Sequence, residues 1–204
     1  MLLRLLLGFL IFLFSAIGIL VNLIVLQPVY KLSKNLNKSS VYLISFFNIL
    51  TDLVNLSQSA FYLAPCIIFK SYIFGEKNDE GIPKLLGTLA LVTWYIGNIT
   101  QIVMATNRFV VICYLNNNIF THRNIKILFG ITLIFAITKA YIVQYITPCC
   151  AFVYDYQILS YNYARKPGIP NYSDISDLPL NAFATIVAFT CYILVSYFRR
   201  NCDL

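Results

Sequence analysis

The sequence predicts an all-α membrane protein, a polytopic bundle of five membrane-crossing helices. Two observations carry that reading. The 204 residues are 59% hydrophobic and only 11% charged, with a mean hydropathy of +0.75. A soluble domain carries about 25% charged residues, and so few charges cannot cover this much apolar surface in water. The apolar residues are also gathered into five runs: Leu5–Gln27, Val41–Phe69, Leu85–Tyr114, Ile125–Thr147 and Leu180–Phe198. Each approaches or exceeds the roughly 20 residues, at 1.5 Å rise, that a hydrocarbon core of about 30 Å demands. None shows the period-two alternation of a membrane barrel strand.

The first run starts near Met1, with Arg4 ahead of it and a small-residue pair at Ser15-Ala16, as in a secretory signal. Its apolar stretch continues to Leu26, beyond a signal core of about 7–15 residues, so it is read as a retained span. Along the second run Ser45, Asn48, Asp52, Asn55, Ser59, Tyr62 and Cys66 recur every three or four residues, which places them on one helical face. In the third run Trp94, Asn98, Gln101, Ala105 and Arg108 follow the same rule, and the first run adds Ser15, Gly18 and Asn22. The fourth run carries Lys139, which meets an interior polar group or sits badly solvated; periodicity does not choose. The fifth closes on Arg199-Arg200, and Pro28, Pro65, Pro83, Pro148 and Pro179 are read as marking span ends.

Polar side chains in hydrocarbon are expensive unless they face protein or water. Three polar stripes therefore predict helices packed polar face to polar face. The amides of Asn48, Asn55, Asn98 and Gln101 are either interhelical glue, at about 0.6 kcal/mol per hydrogen bond, or the lining of an interior pocket that includes Trp94. Asp52 can carry charge and is read as functional. Arg108, at the end of its run, can extend its long side chain to the interface.

With the N-terminus outside, the inner segments hold Lys31, Lys34, Lys38, Arg108, Arg123, Lys126, Arg199 and Arg200. The outer ones hold Arg4, Lys70, Lys77, Lys84, Arg165 and Lys166, a small positive-inside bias. That puts the C-terminus in the cytosol, and the formal charge of +7 sits mainly on inner loops, so nucleic acid is a poor partner. Asn171-Tyr172-Ser173, in the longest loop, is a candidate glycosylation site on the outer side. Enzyme chemistry is not expected. The single histidine, His122, stands beside Arg123 in a basic loop, and no metal-ligand spacing, nucleophile elbow or phosphate-binding loop occurs, so neither a metal nor a cofactor is expected. A transporter or channel subunit is the alternative, with Asp52, Lys139 and the amide stripes lining a path. Against it, the sequence has no internal repeat and no proline near mid-membrane.

The residues also resemble a known family. Asn107-Arg108-Phe109, followed by Val110-Val111-Ile112, is similar to the inner end of the third helix in seven-helix G-protein-coupled receptors. The Asn-Arg-Phe form resembles nematode chemosensory receptors of the serpentine receptor class x family. Gly18-Ile-Leu-Val-Asn22 is similar to the first-helix motif of the superfamily, and Asp52 in ILTDLVNL to its second-helix acid. Pro148-Cys149-Cys150 and Ser176-Asp-Leu-Pro-Leu-Asn181 resemble that class as well, so the likeness runs over most of the chain.

The resemblance implies a rhodopsin-like fold, a small-molecule ligand in the outer half of the bundle and a heterotrimeric G protein at the inner face, in the plasma membrane. It implies that Arg108, with Asn107, gates activation, that Asp52 is the core polar switch and that Asn22 is its helix-one partner. Asn107 stands where the superfamily usually has an acid. No cysteine lies near the outer end of the third span, so the usual disulfide has no site; Cys66 pairs with Cys149 or Cys150, or all three stay free thiols. The pattern's sixth and seventh helices have no counterpart before Leu204, so residues 1–204 are expected to form a partial receptor domain unable to signal alone. Membrane embedding has a direct test: washing at alkaline pH with carbonate is expected to leave the chain in the membrane pellet, and release as a soluble monomer would refute it.

Overall fold

A peptide group in lipid must find its hydrogen bonds within its own segment, which makes helices the default for the apolar runs. The computed structural model describes residues 2–34, 40–75, 80–114, 119–147, 151–164, 168 and 172–201. Its helices are α1 (Leu2–Ser33), α2 (Val41–Gln58), α3 (Ala64–Phe69), α4 (Gly81–Tyr114), α5 (His122–Tyr141) and α6 (Tyr172–Asn201). A π-helical turn, Ser59–Leu63, joins α2 to α3, and a second, Ile142–Ile146, extends α5. The five runs thus become five rods, which alternate in direction. The start of α1 packs on α3, where Gly8 meets Ile68, and the His122 ring at the start of α5 donates from Nε2 to the Ser33 carbonyl at the end of α1 (3.0 Å). His122 is therefore half-buried, not a solvated loop residue.

Four of these helices are long and apolar enough to cross a membrane: Leu2–Ser33, Gly81–Cys113, His122–Ile146 and Asp177–Arg200. The second rod is broken by its π turn, and Pro65 explains the break. Proline has no N–H to donate and its ring crowds the carbonyl four residues back, so the helix widens just ahead of it and the Ala64 N–H bonds back to the Ser59 carbonyl. The fourth rod ends comparably: Thr147, ahead of Pro148 in sequence, is extended at ψ 134°, as a residue before proline prefers.

Three expectations change. Pro28 lies inside α1, and Pro179 lies inside α6 at the start of the candidate span Asp177–Arg200, so the helices run on past the span ends that these prolines are read to mark. The fifth helix begins at Tyr172 rather than Leu180. Hydropathy marks where lipid is, whereas a helix continues wherever its own backbone can bond. The stretch after Ala151, read as a loop, contains an antiparallel hairpin, β1 (Phe152–Asp155) with β2 (Ser160–Tyr163), pairing Phe152 with Tyr163 and Asp155 with Ser160.

α4 stands at the centre, in contact with α2, α5, α6 and β1. Tyr95, Leu91, Thr100 and Asn107 of α4 are among the most deeply buried side chains. Two apolar clusters flank it. At the hairpin end Tyr62, Cys66, Ile67, Leu91, Tyr95, Val143, Phe152 and Tyr154 pack together. At the Arg108 end Leu43, Ile44, Val103, Ile125 and Phe129 do so, with the Phe47 and Phe129 rings stacked at 4.2 Å. α1 turns most of its surface outward: Leu2, Phe14, Leu20 and Ile24 are all exposed, as lipid-facing side chains would be.

The hairpin is fastened by two glutamines placed at the π turns. Gln144 donates from Nε2 to the carbonyls of Phe152 (2.9 Å) and Lys84 (3.0 Å) and accepts the Phe152 N–H on Oε1. Gln58 donates to the Leu86 carbonyl (3.2 Å) and accepts the Tyr154 hydroxyl (2.9 Å). Burial pushes the Tyr154 phenol above its usual range, so it remains a donor at any physiological pH. Gly87 lets the strand come this close, because a Cβ there would lie 1.9 Å from the Phe152 carbonyl oxygen. Gly87→Val is expected to lift β1 from α4 and to orphan the Gln144 amide, at a cost of about 1–3 kcal/mol. Hydrogen exchange at Phe152–Asp155 would read this, and unchanged protection would contradict the clamp.

Candidate functional site

An acid at a helix end inside a bundle must find donors, and Asp177 of α6 finds them on three other elements. It is 5% exposed. The Tyr95 hydroxyl of α4 donates to its Oδ1 at 2.8 Å, and the Tyr163 hydroxyl of β2 donates to Oδ2. Lys139 of α5 brings Nζ to 3.7 Å from Oδ1 and sits 6.0 Å from the centre of the Tyr95 ring. The charge is thus compensated on the spot. Lys139, left open by periodicity, faces an interior acid.

Beside this cluster lies a cavity of about 290 Å³ under the hairpin, between α4 and α6. Leu91 and Trp94 form one wall, Phe152, Tyr161, Asn162 and Tyr163 the roof, and Asp177, Leu178 and Asn181 the other wall. Its size is near the lower end of small-molecule sites, and mostly apolar walls with a few converging polar groups are their usual composition.

The expected interior pocket separates into different places. Trp94 is half-buried and lines the cavity. Asn98 is buried, but its amide donates to the Trp94 carbonyl of its own helix (3.0 Å). Asn55 accepts the Thr93 hydroxyl and so joins α2 to α4. Gln101 is exposed, which corrects its placement in the interior. At about 100° per residue it stands about 60° round the helix from Asn98, and Arg108 about 80°, so both leave the buried face that Asn98 and Ala105 share.

The activation residues divide likewise. Arg108 is exposed and makes a long hydrogen bond to the Tyr192 hydroxyl of α6 (3.4 Å), with its guanidinium carbon 5.8 Å from that ring's centre. Asn107 is fully buried, and among the described residues neither polar atom of its amide has a hydrogen-bond partner. Asp52 accepts from Asn48 one turn back (2.9 Å), while Asn22 donates to Gly18 in its own helix (3.0 Å). The expected Asn22–Asp52 pairing is therefore not made, since each group is satisfied within its own helix. Cys66 is a free, buried thiol, the second of the two alternatives open for it. Its proposed partners Cys149 and Cys150, and the sequon residue Asn171, lie outside the described residues.

The reading from sequence missed Asp177, Tyr95 and Tyr163. One signal was present: an unexplained lysine within a span calls for an acid near the same depth, and Asp177 opens the fifth run. Asp177→Ala is expected to destabilise the bundle by about 3 kcal/mol by leaving Lys139 unpaired. Replacing both, Asp177→Leu with Lys139→Met, is expected to recover most of that loss in thermal unfolding. A double variant as unstable as the single one would show that the ion pair is not the cause.

The chain's relatives agree with this architecture. A model of the family described as "Serpentine type 7TM GPCR chemoreceptor Srx" matches residues 12–201. Comparison with curated protein sequences gives no match. Among solved structures the crystal structure of squid rhodopsin is similar, with a TM-score of 0.74 at 18% sequence identity, over 98% of this chain and 56% of that one. At that identity the likeness speaks for the fold, a rhodopsin-like helical bundle, and the chain spans little more than half the length of squid rhodopsin. With the family model covering nearly all of its five rods, the chain belongs to the Srx family of serpentine seven-transmembrane G-protein-coupled chemoreceptors.

Proposed function

We propose that the chain serves a plasma-membrane chemoreceptor that binds a small, uncharged molecule in the cavity under the hairpin. The observation that carries this reading is the compensated charge of Asp177. Lys139 already neutralises the carboxylate and two phenols occupy its oxygens, so a cationic ligand gains little from it. Trp94, Phe152 and Tyr161 offer flat apolar surface, and the amides of Asn162 and Asn181 add directional polar groups at the edge. A neutral aromatic or cyclic molecule bearing one hydrogen-bonding group matches those walls.

In this reading the hairpin end faces outward, and the Arg108 end faces the cytosol and a heterotrimeric G protein. The small excess of Lys and Arg in the segments on that side supports the orientation. Asn107 supports a switch at the same end. A buried amide without partners costs about 1–3 kcal/mol, which favours any second packing that satisfies it, and a ligand that prefers that packing shifts the population toward it. Among the described residues Arg108 is held by Tyr192 alone, which leaves it able to follow.

Trp94 is the chain's one tryptophan and reports on the cavity directly. Titration with a panel of small neutral aromatic alcohols, ketones and esters is expected to change its fluorescence saturably for some members. Asn181→Phe, which fills the cavity mouth, is expected to weaken the midpoint about tenfold, equivalent to about 1.4 kcal/mol. A panel without any saturable change would overturn the assignment.

A further inference from the structure

We propose that the groove between α2, α4 and α5 is a binding site for an acidic phospholipid, with an acyl chain in the groove and the phosphate on Lys126. This groove, of about 450 Å³, lies on the opposite side of α4 from the Asp177 cavity and toward the Arg108 end. Phe47 and Val54 of α2, Val92 and Ile96 of α4, and Leu133 of α5 form its walls. Its two hydroxyls are already engaged: Thr51 donates to the Phe47 carbonyl (3.0 Å), and Thr93 bonds to Asn55 and to its own helix. The walls therefore present hydrocarbon to whatever fills them.

Lys126 is the one charged lining residue. It is exposed, and no acid among the described residues lies within ion-pair distance of it, in contrast to Lys139 with Asp177. Lys126, Gly130 and Leu133 follow one another on a single face of α5, about 10 Å from end to end at the helical rise. Between them Gly130 leaves a shelf, since a Cβ there would meet no heavy atom within 4 Å. The arrangement is an apolar trough open to the side of the bundle and ending in one unpaired cation close to the helix start. An occupant with a chain along the trough and an anion at one end complements it, and a membrane supplies such molecules as acidic phospholipids. Arg123, exposed one turn earlier on α5, adds positive charge at the same end. A zwitterionic lipid fits the trough as well but brings its own cation to Lys126, so the site selects by headgroup charge. The proposal is independent of the ligand assigned to the cavity under the hairpin.

The test uses the full chain in phosphatidylcholine nanodiscs doped with photoactivatable phosphatidylserine or phosphatidylcholine carrying the diazirine on the acyl chain, with the labelled residues mapped by mass spectrometry. Labelling is expected at Val54, Gly130 and Leu133, about fivefold stronger for phosphatidylserine, as about 1 kcal/mol per basic residue at the membrane surface implies. Lys126→Gln is expected to abolish the preference while retaining the label. Gly130→Leu, whose Cβ meets no heavy atom within 4 Å and whose longer side chain extends into the groove, is expected to reduce labelling by both lipids, with helicity by circular dichroism unchanged. Equal labelling by the two lipids in the unsubstituted chain would overturn the proposal. Labelling indifferent to Gly130→Leu would overturn it too, as would cholesterol displacing the label equally from the unsubstituted chain and Lys126→Gln.

Discussion

A carboxylate cannot remain charged among apolar helices without partners, and the hairpin end of this bundle is arranged around that constraint. Asp177 takes its partners from α4, α5 and β2, so one acid draws three elements onto α6. Pairs of this kind are weak sources of net stability, because desolvation offsets most of the attraction. What they supply is geometry, since the two phenols and the ammonium must converge on one carboxylate. The cavity beside Trp94 follows from that arrangement, as it is the space left when the hairpin is drawn toward α6 and α4 is held on the opposite wall.

The hairpin raises the same problem for backbone groups. Strand β1 lies against helices whose own peptide groups are already bonded, so its polar atoms need side-chain partners. Gln144 meets both the N–H and the carbonyl of Phe152, and Gln58 meets the Tyr154 hydroxyl. Both glutamines sit at π turns, where an extra residue per turn rotates the following side chains relative to a regular helix. Gln144 lies within its π turn, and Gln58 is the last residue of α2 before the other. Gly87 completes the contact, since a Cβ there would collide with the Phe152 carbonyl.

Satisfaction is uneven along the bundle: the buried Tyr62 hydroxyl at the hairpin end finds no hydrogen-bond partner among the described residues, but the larger deficit lies at the other end. At the hairpin end the acid, the lysine and the glutamines all have partners. At the other end, among the described residues, Asn107 is buried with none, and Arg108 reaches a tyrosine at the edge of α6. Low-cost rearrangement belongs where bonds are few, so the Arg108 end is the part of the structure with the most to gain from a second packing. The groove that ends at Lys126 opens near the same end, which places lipid composition within reach of that rearrangement.

The five rods were legible because they depend on composition summed over about 20 residues, which no single contact can reverse. Asp52, Asn98 and Arg108 were also recognisable as unusual, since polarity inside an apolar run is visible without coordinates. Their partners were not. Periodicity grouped Gln101 with Asn98, yet a few tens of degrees around a helix that is packed on several sides separates an exposed amide from a buried one. The helical start of α6, the strand pairing of Phe152 with Tyr163 and the joining of Lys139 to Asp177 depend on residues distant in the chain arriving at one depth. Local sequence therefore determined that this chain is a bundle of helices in lipid, because solvation acts residue by residue. Which polar groups meet, and so where a ligand can sit, was decided only by tertiary packing, because a hydrogen bond depends on where two side chains are in space and not on how far apart they are in sequence.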